Sequence, residues 1–220
     1  MQSIYLFSKT THNDVIHVPT LSTHFFKKEI LFEKYDAIVI TSKTAIEALE
    51  KISPLWRKKK ILTIAKMSQL LAEKYGVTLL QSSNGYANSL LEIIKKEYAH
   101  LSWLYPRPQR VASNFYIDAK ASGIKIEDII VYKSTCTDVI TTKAITKNDI
   151  LIFTSPFCVE CFLAKHRFHK NQKVIAIGTT TAQAIDSDIN VYIPEQTTLH
   201  ACVVLAKSLI NVREETQLKG

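Results

Sequence analysis

The chain has 220 residues, of which 46% are hydrophobic and 22% charged, an ordinary composition for a globular protein. This length allows one large domain or two of about 100 residues, and no apolar run approaches the roughly 20 residues of a transmembrane helix, so we expect no membrane span. The net charge of +8 has two explanations: solvated basic surfaces, or an anionic partner that is a small polyanion or a nucleic acid.

The cellular compartment is predicted from the N-terminus and the cysteines. Residues 1–7 enter a strand-like segment directly, without the basic region and cleavage site of a secretory signal. The four cysteines show no spacing typical of a disulfide framework. We therefore expect a cytoplasmic protein.

Predicted strands and helices alternate along the chain. Short apolar runs predict strands at 3–7, 15–22, 38–40, 61–64, 77–80, 101–105, 129–133, 150–153, 174–177 and 191–193. Periodicity and capping residues predict helices at 27–32, 42–51, 67–74, 85–98, 113–122, after Ser155, at 182–185 and at 200–210, followed by a charged tail that frays. The alternation favours α/β domains with parallel sheets.

Two strands in the second half of the chain end at hydroxyl-rich turns. The strand 150–153 stops at 154–156 (Thr-Ser-Pro), and the strand 174–177 stops at 178–181 (Gly-Thr-Thr-Thr). A strand that feeds such a turn and then a helix leaves unpaired backbone N–H groups, where the helix dipole also favours negative charge. Two such turns side by side predict an anion-binding surface.

The first half contains a weaker copy of this arrangement. At a constant offset of 113 residues, 36–42 aligns with 149–155, 64–68 with 177–181, and 90–91 with 203–204. Because the offset holds without gaps, we interpret it as an internal duplication of an α/β unit, which favours two domains over one.

Several common site chemistries are missing from the sequence. The five glycines form neither a GxGxxG nor a GxxxxGK[ST] motif, and there is no GxSxG motif. Cys158, Cys161, His166 and His169 have a spacing that could bind zinc, but the two cysteines stand beside apolar residues that favour a buried helix face. We expect no metal site.

The order and spacing of five segments resemble the uroporphyrinogen-III synthase family over nearly the whole chain. The segments are 36–49, 60–77, 104–135, 149–162 and 173–185. Their most specific parts are the sequences FTSP and IGTTTA and the Val-Tyr pair that ends at Tyr132.

The resemblance implies a fold. We expect two α/β lobes with parallel sheets, joined by a two-stranded β-ladder, with a cleft between the lobes. One lobe would combine residues 1–16 with 136–220, and the other would be residues 23–127. The linker strands would be 17–22 and 128–135.

The resemblance also implies an activity, that of a carbon–oxygen lyase (hydro-lyase). The substrate would be hydroxymethylbilane, a linear tetrapyrrole with an acetate and a propionate on every ring. Loss of its terminal hydroxyl as water gives an azafulvene, which the substituted carbon of ring D attacks. A spiro intermediate then rearranges, so that ring D is inverted in the product, uroporphyrinogen III. We expect no cofactor, a monomer, and a transient hand-off from the preceding pathway enzyme.

The site residues implied by the resemblance lie at strand ends. Tyr132 is the candidate acid for the departing hydroxyl, and a buried structural tyrosine is the alternative. Candidate carboxylate-binding hydroxyls, which could equally be helix caps, are Ser42, Ser68, Ser155, Thr180 and Thr181. Candidate charge partners of the substrate are Arg107 and Lys173.

The chain departs from the family in three places. Where the family tends to have Arg after the first strand, this chain has Ser8 and Lys9. Only about eight residues separate Phe7 from Val15, so the helix that usually follows the first strand is expected to be absent. Ala65 and Ser68 stand where the family has Gly and Thr, which puts the ligand contacts of that turn in doubt.

Two other functions are compatible with the basic charge. One is a non-catalytic two-lobed protein that binds a polyanionic ligand. The other is a nucleic-acid binder, which is disfavoured because the aromatic and basic residues are not interleaved as stacking platforms require. We therefore expect neither a nucleic-acid nor a membrane partner.

Overall fold

The computed structural model describes residues 2–64, 66–82, 87–111, 113–138 and 145–217, with the backbone alone at 66, 67, 81, 82, 87, 88 and 211–217. Within these residues the strands are β1 (Ile4–Ser8), β2 (Ile16–Pro19), β3 (Leu21–Phe25), β4 (Ala37–Ile40), β5 (Lys60–Thr63), β6 (Thr78–Ser82), β7 (Trp103–Pro108), β8 (Ile126–Cys136), β9 (Ile150–Phe153), β10 (Lys173–Ala176) and β11 (Asn190–Tyr192). The α-helices are α1 (Lys43–Ile52), α2 (Lys66–Glu73), α3 (Ala87–Glu97), α4 (Phe115–Ala121), α5 (Pro156–Leu163), α6 (Thr179–Ala182) and α7 (Leu199–Gln217).

The chain divides into two compact units. Unit 1 combines Met1–Ser22 with Thr135–Gly220, and unit 2 is Thr23–Ser134. The chain therefore passes from one unit to the other twice.

Unit 1 is built on a five-stranded parallel sheet with the order β11-β10-β9-β1-β2. Every residue of β9 is buried, because both faces of the sheet are covered. Phe153 shares a core with Val159 of α5 on one face, and Ile152 shares a core with Val203 of α7 on the other.

Unit 2 is built on a six-stranded sheet with the order β3-β8-β7-β4-β5-β6, and the neighbouring strands from β8 to β6 are parallel. Ile38 of β4 shares a core with Leu49 of α1, whereas Val39 shares the opposite core with Leu90 of α3. Consecutive residues of one strand thus enter two cores, as expected for a sheet covered on both faces.

The two sheets repeat one another. At the 113-residue offset, β4, β5 and β6 of unit 2 correspond to β9, β10 and β11 of unit 1. Even the register is kept: Ala37 pairs with Lys60, and Ile150 pairs with Lys173. Each three-strand block continues into two more parallel strands, β7 and β8 in unit 2 and β1 and β2 in unit 1. The predicted pair of duplicated parallel α/β lobes is confirmed, and the N-terminal strands complete the second copy.

Strands β3 and β8, in which the chain passes from one unit to the other, form an antiparallel pair. The Thr137 amide donates to the Thr20 carbonyl at 3.0 Å, and the Phe26 amide donates to the Val131 carbonyl at 3.0 Å. Partner numbers rise on one strand and fall on the other, so β3 and β8 run in opposite directions. The linker strand expected at 17–22 is thus divided, since β2 joins the sheet of unit 1 and β3 pairs with β8, which is also a member of the sheet of unit 2.

Two local differences have simple physical reasons. The helix predicted at 27–32 is reduced to a 3-10 turn at Phe32–Lys34, because six residues without an N-cap cannot sustain a helix. The predicted fraying tail is instead helical to Gln217, since no Gly or Pro interrupts it. Residues 9–15 contain no helix, as expected from their number.

A disulfide bond joins Cys136, the last residue of β8, to Cys161 of α5. Their Cα atoms are 5.4 Å apart, although 25 positions separate them in the chain. The spacing of the cysteines did not predict this bond, because the fold, and not the local sequence, brings the two residues together.

Candidate functional site

Each sheet has one point at which the strand order reverses. In unit 2 it lies between β4 and β7, and in unit 1 it lies between β9 and β1. Ligands of open α/β sheets bind beyond the carboxyl ends of the strands at such switch points. We therefore expect ligand-binding residues in the turns that follow β4 and β9.

Ser42 begins α1 at the switch point of unit 2. Its backbone is extended (φ −153°, ψ 151°), and its Oγ accepts a hydrogen bond from the Ala45 amide at 3.1 Å. This bond caps the helix and leaves the hydroxyl proton of Ser42 available for a second bond. The first amides of this ten-residue helix also favour negative charge nearby.

Tyr132 of β8 directs its hydroxyl to the same position. The hydroxyl lies 2.9 Å from Ser42 Oγ, and the side chain is 7% exposed. Burial raises the pKa of the Tyr132 phenol above its usual value, and hydrogen bonds with Ser42 and Thr44 act in the opposite direction. The phenol is therefore neutral near pH 7 and carries a proton that it can donate.

A second buried tyrosine reaches this edge of unit 2. Tyr105 of β7 packs edge-on against Phe115 and places its hydroxyl 3.4 Å from Thr41 Oγ1. Burial raises the pKa of Tyr105 as well. Tyr105 and Tyr132 belong to cores on opposite faces of the sheet, so their hydroxyls reach the edge from two sides.

Arg107, near the end of β7, already has partners. Its Nε–H donates to the Asp128 carboxylate of β8, and its Nη1 donates to the carbonyl oxygens of Pro108 at 3.0 Å and Gln109 at 3.4 Å. A substrate carboxylate would have to share this guanidinium with Asp128.

A third polar turn of unit 2 follows β5, the neighbour of β4. Ser68 lies in the first turn of α2 and is 5% exposed. The hydroxyl of Thr63, the last residue of β5, is buried and has no partner among the described residues. Ala65, the other departure noted in the sequence, lies outside the described residues.

In unit 1 the corresponding turn follows β9. Ser155 begins α5 with an extended backbone (φ −164°, ψ 158°), and its Oγ accepts from the Cys158 amide and donates to the Cys158 sulfur, both at 3.2 Å. Thr154 Oγ1 donates to the Phe7 carbonyl of β1 at 3.4 Å, so the turn closes across the switch point. Burial raises the pKa of the Cys158 thiol, which disfavours the reactive thiolate.

The turn after β10 has one exposed and one buried threonine among the predicted ligands. Thr180 is exposed, whereas Thr181 is 3% exposed and belongs to the interior. The helix α6 has only four residues, so its dipole adds little to anion binding here. Thr180 is thus the more accessible of the two predicted ligands.

The model of the family described as uroporphyrinogen-III synthase HemD matches residues 9–204, which is most of the chain. The chain belongs to the uroporphyrinogen-III synthase family. The resemblance noted in the sequence is thereby confirmed, and with it a tetrapyrrole as the class of substrate. No curated protein matches the chain.

Two solved structures of the family have the same fold. The uroporphyrinogen-III synthetase of Helicobacter pylori 26695 is 20% identical, with a TM-score of 0.79 over 95% of this chain and 100% of that chain. A mutant uroporphyrinogen III synthase of the extremely thermophilic bacterium Thermus thermophilus is 12% identical, with a TM-score of 0.61 over 96% of this chain and 99% of that chain. At these identities the likeness carries the fold and not the individual site residues.

Lys173 does not join the hydroxyl turns of this uroporphyrinogen-III synthase fold. It is the first residue of β10, so it lies at the amino edge of a parallel sheet, whereas Ser155 and Thr180 lie at the carboxyl edge. Its ammonium donates to the Leu209 carbonyl of α7 at 2.7 Å. The predicted role of Lys173 as a charge partner of the substrate is therefore not retained.

The four residues with zinc-like spacing serve other contacts. Cys161 is in the disulfide, and the Cys158 sulfur is hydrogen-bonded to Ser155. His166 stacks on Phe162, and His169 Nε2 lies 3.0 Å from the Ile145 carbonyl oxygen. Among the described residues no group of three or more His, Cys, Asp or Glu side chains is placed to hold a metal ion, and no described helix meets the length and apolarity needed to cross a membrane.

Thr63 and Tyr105 were not predicted as site residues. Thr63 stands one position before the end of the predicted strand 61–64, so its position was a usable signal. Tyr105 occupies the last position of a predicted strand, but no pattern indicated which face of the sheet it would occupy.

Proposed function

We propose that the protein is a hydro-lyase that cyclises hydroxymethylbilane with loss of water and inversion of ring D, which gives uroporphyrinogen III. Membership of the family supports this reaction. The observation that carries the proposed mechanism is the contact of the Tyr132 hydroxyl with Ser42 Oγ at the switch point of unit 2.

The geometry supports Tyr132 as the acid. Ser42 Oγ accepts from the Ala45 amide and keeps its own proton, which it can donate to the Tyr132 oxygen 2.9 Å away. The phenolic proton then remains free for the terminal hydroxyl of the substrate. As the carbon–oxygen bond breaks, this proton leaves with the hydroxyl as water, and the azafulvene forms.

The same contacts stabilise the phenolate that remains. The hydroxyls of Ser42 and Thr44 bond to the Tyr132 oxygen, and the N-terminus of α1 lies beside it. After the substituted carbon of ring D attacks and the spiro intermediate rearranges, ring closure releases a proton. That proton returns Tyr132 to its neutral form, so the cycle is balanced.

Binding of the substrate is assigned to the polar turns. Carboxylates of the bilane would bind at the N-terminus of α1 and at the accessible hydroxyls of Ser155 and Thr180. The hydroxyls of Ser68 and Thr181, which are at most 5% exposed, are the less accessible candidates. The sequence of unit 2 supplies a general attraction, since it contains 18 Lys and Arg residues against 11 Asp and Glu residues, a balance of +7. Holding a flexible substrate in one conformation accelerates the correct ring closure over its alternatives.

The reaction is tested by its product. Purified protein is mixed with hydroxymethylbilane, and the type I and type III ring isomers are separated. Spontaneous closure gives type I, so the proposal predicts type III only when the protein is present. Type I as the sole product at every protein concentration would contradict it.

A further inference from the structure

The Cys136–Cys161 disulfide joins an exposed cysteine to a buried one. Cys136 is exposed at the end of β8, whereas Cys161 is 6% exposed on α5. A disulfide is opened by a thiolate that attacks one of its sulfurs, and access decides which sulfur is attacked. The exposed end of this bond is therefore open to an external thiol.

The buried end of the bond faces a small cavity. The cavity has a volume of about 20 Å³, enough for one water molecule, and its lining is mainly apolar, with Phe7, Val18 and Phe162 beside Cys161 and Lys165. The Lys165 ammonium is held at this cavity by the Thr137 carbonyl at 3.3 Å and the Asp138 carboxylate at 3.1 Å. Because attack is possible at the exposed Cys136 sulfur, Cys161 is the leaving group of that step.

We propose that the Cys136–Cys161 bond is a reversible redox modification site, opened by a dithiol reductant and closed by a small-molecule disulfide, that fixes or frees the end of β8 on α5. The proposal does not rest on the proposed function.

The chemistry balances with these reagents. A reductant thiolate attacks the Cys136 sulfur, which forms a mixed disulfide and releases the Cys161 thiolate. The second thiol of the reductant then displaces Cys136, and the reductant is left as a disulfide. The protein gains two electrons and two protons, and a small-molecule disulfide reverses both steps.

The two free cysteines do not compete for this exchange. Cys158 and Cys202 are both buried, and burial raises the pKa of each thiol, that of Cys202 to about 11. Neither is a ready thiolate near neutral pH.

The bond connects two elements that carry candidate site residues. Cys136 follows Tyr132 by four residues on β8, and Cys161 follows Ser155 by six residues on α5. Without the bond, the end of β8 in unit 1 would be held by the hydrogen bonds of Thr137 to Pro19 and Thr20. Opening the bond should therefore loosen this junction without unfolding the unit.

The first test measures whether the bond opens in the folded protein. The wild-type chain is incubated in buffers of increasing ratio of reduced to oxidised glutathione and then with dithiothreitol, quenched in acid, unfolded and alkylated. The proposal predicts two alkylated cysteines in the oxidised protein and four in the reduced protein, with a reversible transition between them. A bond that dithiothreitol reduces only after urea unfolding would overturn the proposal, as would four free thiols under every condition.

The second test measures the junction by amide hydrogen exchange. Peptides covering 135–138 and 156–163 should exchange about tenfold faster in the reduced protein, while peptides of β4 and α1 should not change. The Cys136→Ser variant should match the reduced wild type in both buffers. Equal exchange in the oxidised and reduced proteins would overturn the proposed effect on the junction.

Discussion

Units 1 and 2 share one topology but differ in what they place at the carboxyl edge. Unit 2 presents two tyrosine hydroxyls there, from Tyr105 and Tyr132. By the repeated register, the position of Tyr105 is occupied in unit 1 by Leu6, and β2 ends at Pro19 before it reaches a position equivalent to Tyr132. Both units keep a capping serine, Ser42 or Ser155. The duplication thus preserved the capping serine in both copies and the two buried tyrosines at this edge in one.

Charge and cross-linking separate the units further. Unit 2 has a balance of +7, whereas unit 1 has 10 Lys and Arg residues against 9 Asp and Glu residues, a balance of +1. All four cysteines belong to unit 1, and both tryptophans belong to unit 2. The shared fold therefore left each copy free to specialise, with a disulfide bond in unit 1 and most of the net positive charge in unit 2.

The largest effect is expected from Tyr132, the proposed proton donor of unit 2. Tyr132→Phe removes the phenolic proton but keeps the ring, so kcat should fall about 100-fold with little change in KM. Tyr105→Phe is the matched control, and it should lower kcat much less, since its hydroxyl does not contact Ser42. If Tyr132→Phe turns over at the wild-type rate, the proposal that unit 2 supplies the proton donor is contradicted.

The disulfide should stabilise unit 1 alone. Cys136→Ser should lower the free energy of unfolding of oxidised unit 1 by about 3 kcal/mol, because the closed loop no longer restricts the unfolded chain. Since both tryptophans lie in unit 2, their fluorescence reports that unit, and circular dichroism reports both. In urea, only the circular dichroism transition should shift, and the shift should vanish in dithiothreitol. A shifted fluorescence transition would show that the units do not unfold independently.

The two capping serines should have equal structural and unequal catalytic effects. Ser42→Ala and Ser155→Ala each remove an N-cap and should lower stability by about 1 kcal/mol. Ser42→Ala should also lower kcat severalfold, because the Tyr132 oxygen loses a hydrogen bond, whereas Ser155→Ala should mainly raise KM. Identical changes in kcat and KM in the two variants would contradict the proposal that unit 2 supports proton transfer and unit 1 supports binding.

The smallest effect is expected at alkaline pH. The pKa values of Tyr105 and Tyr132 are raised by burial, so these phenols ionise in the unfolded chain before they ionise in the folded protein. Their contribution to stability is complete below about pH 10 and is lost as the pH rises from there through the folded pKa. Urea unfolding at about pH 9 and at about pH 11 should show a smaller loss for Tyr105→Phe than for the wild type. Equal losses would contradict the assignment of Tyr105 to this effect.

Much of the fold could be predicted because its signals are local. Short apolar runs predicted the strands, and the constant 113-residue offset predicted the duplication. The structure keeps the same offset in its strand pairing, since Ala37 pairs with Lys60 and Ile150 pairs with Lys173. The order of the strands within each sheet could not be read this way, since it depends on which strands pair across long separations.

The candidate site was predictable where a residue directly follows a strand, as Ser42 and Ser155 do. Lys173 was misplaced although the sequence held the answer, because a residue that begins a parallel strand lies at the opposite edge from the turns that follow it. The Cys136–Cys161 bond was beyond sequence reasoning, since only the packing of α5 near the end of β8 brings the two residues together.

The central claim is that the folded protein decides which carbon of ring D closes the macrocycle. It is tested most directly by mixing a fixed amount of hydroxymethylbilane with increasing amounts of wild-type protein, or of Tyr132→Phe, and measuring the fraction of type III isomer. The account predicts that this fraction rises to near completion with the wild type and requires far more protein with the variant. A type III fraction that does not depend on the amount of wild-type protein would contradict it.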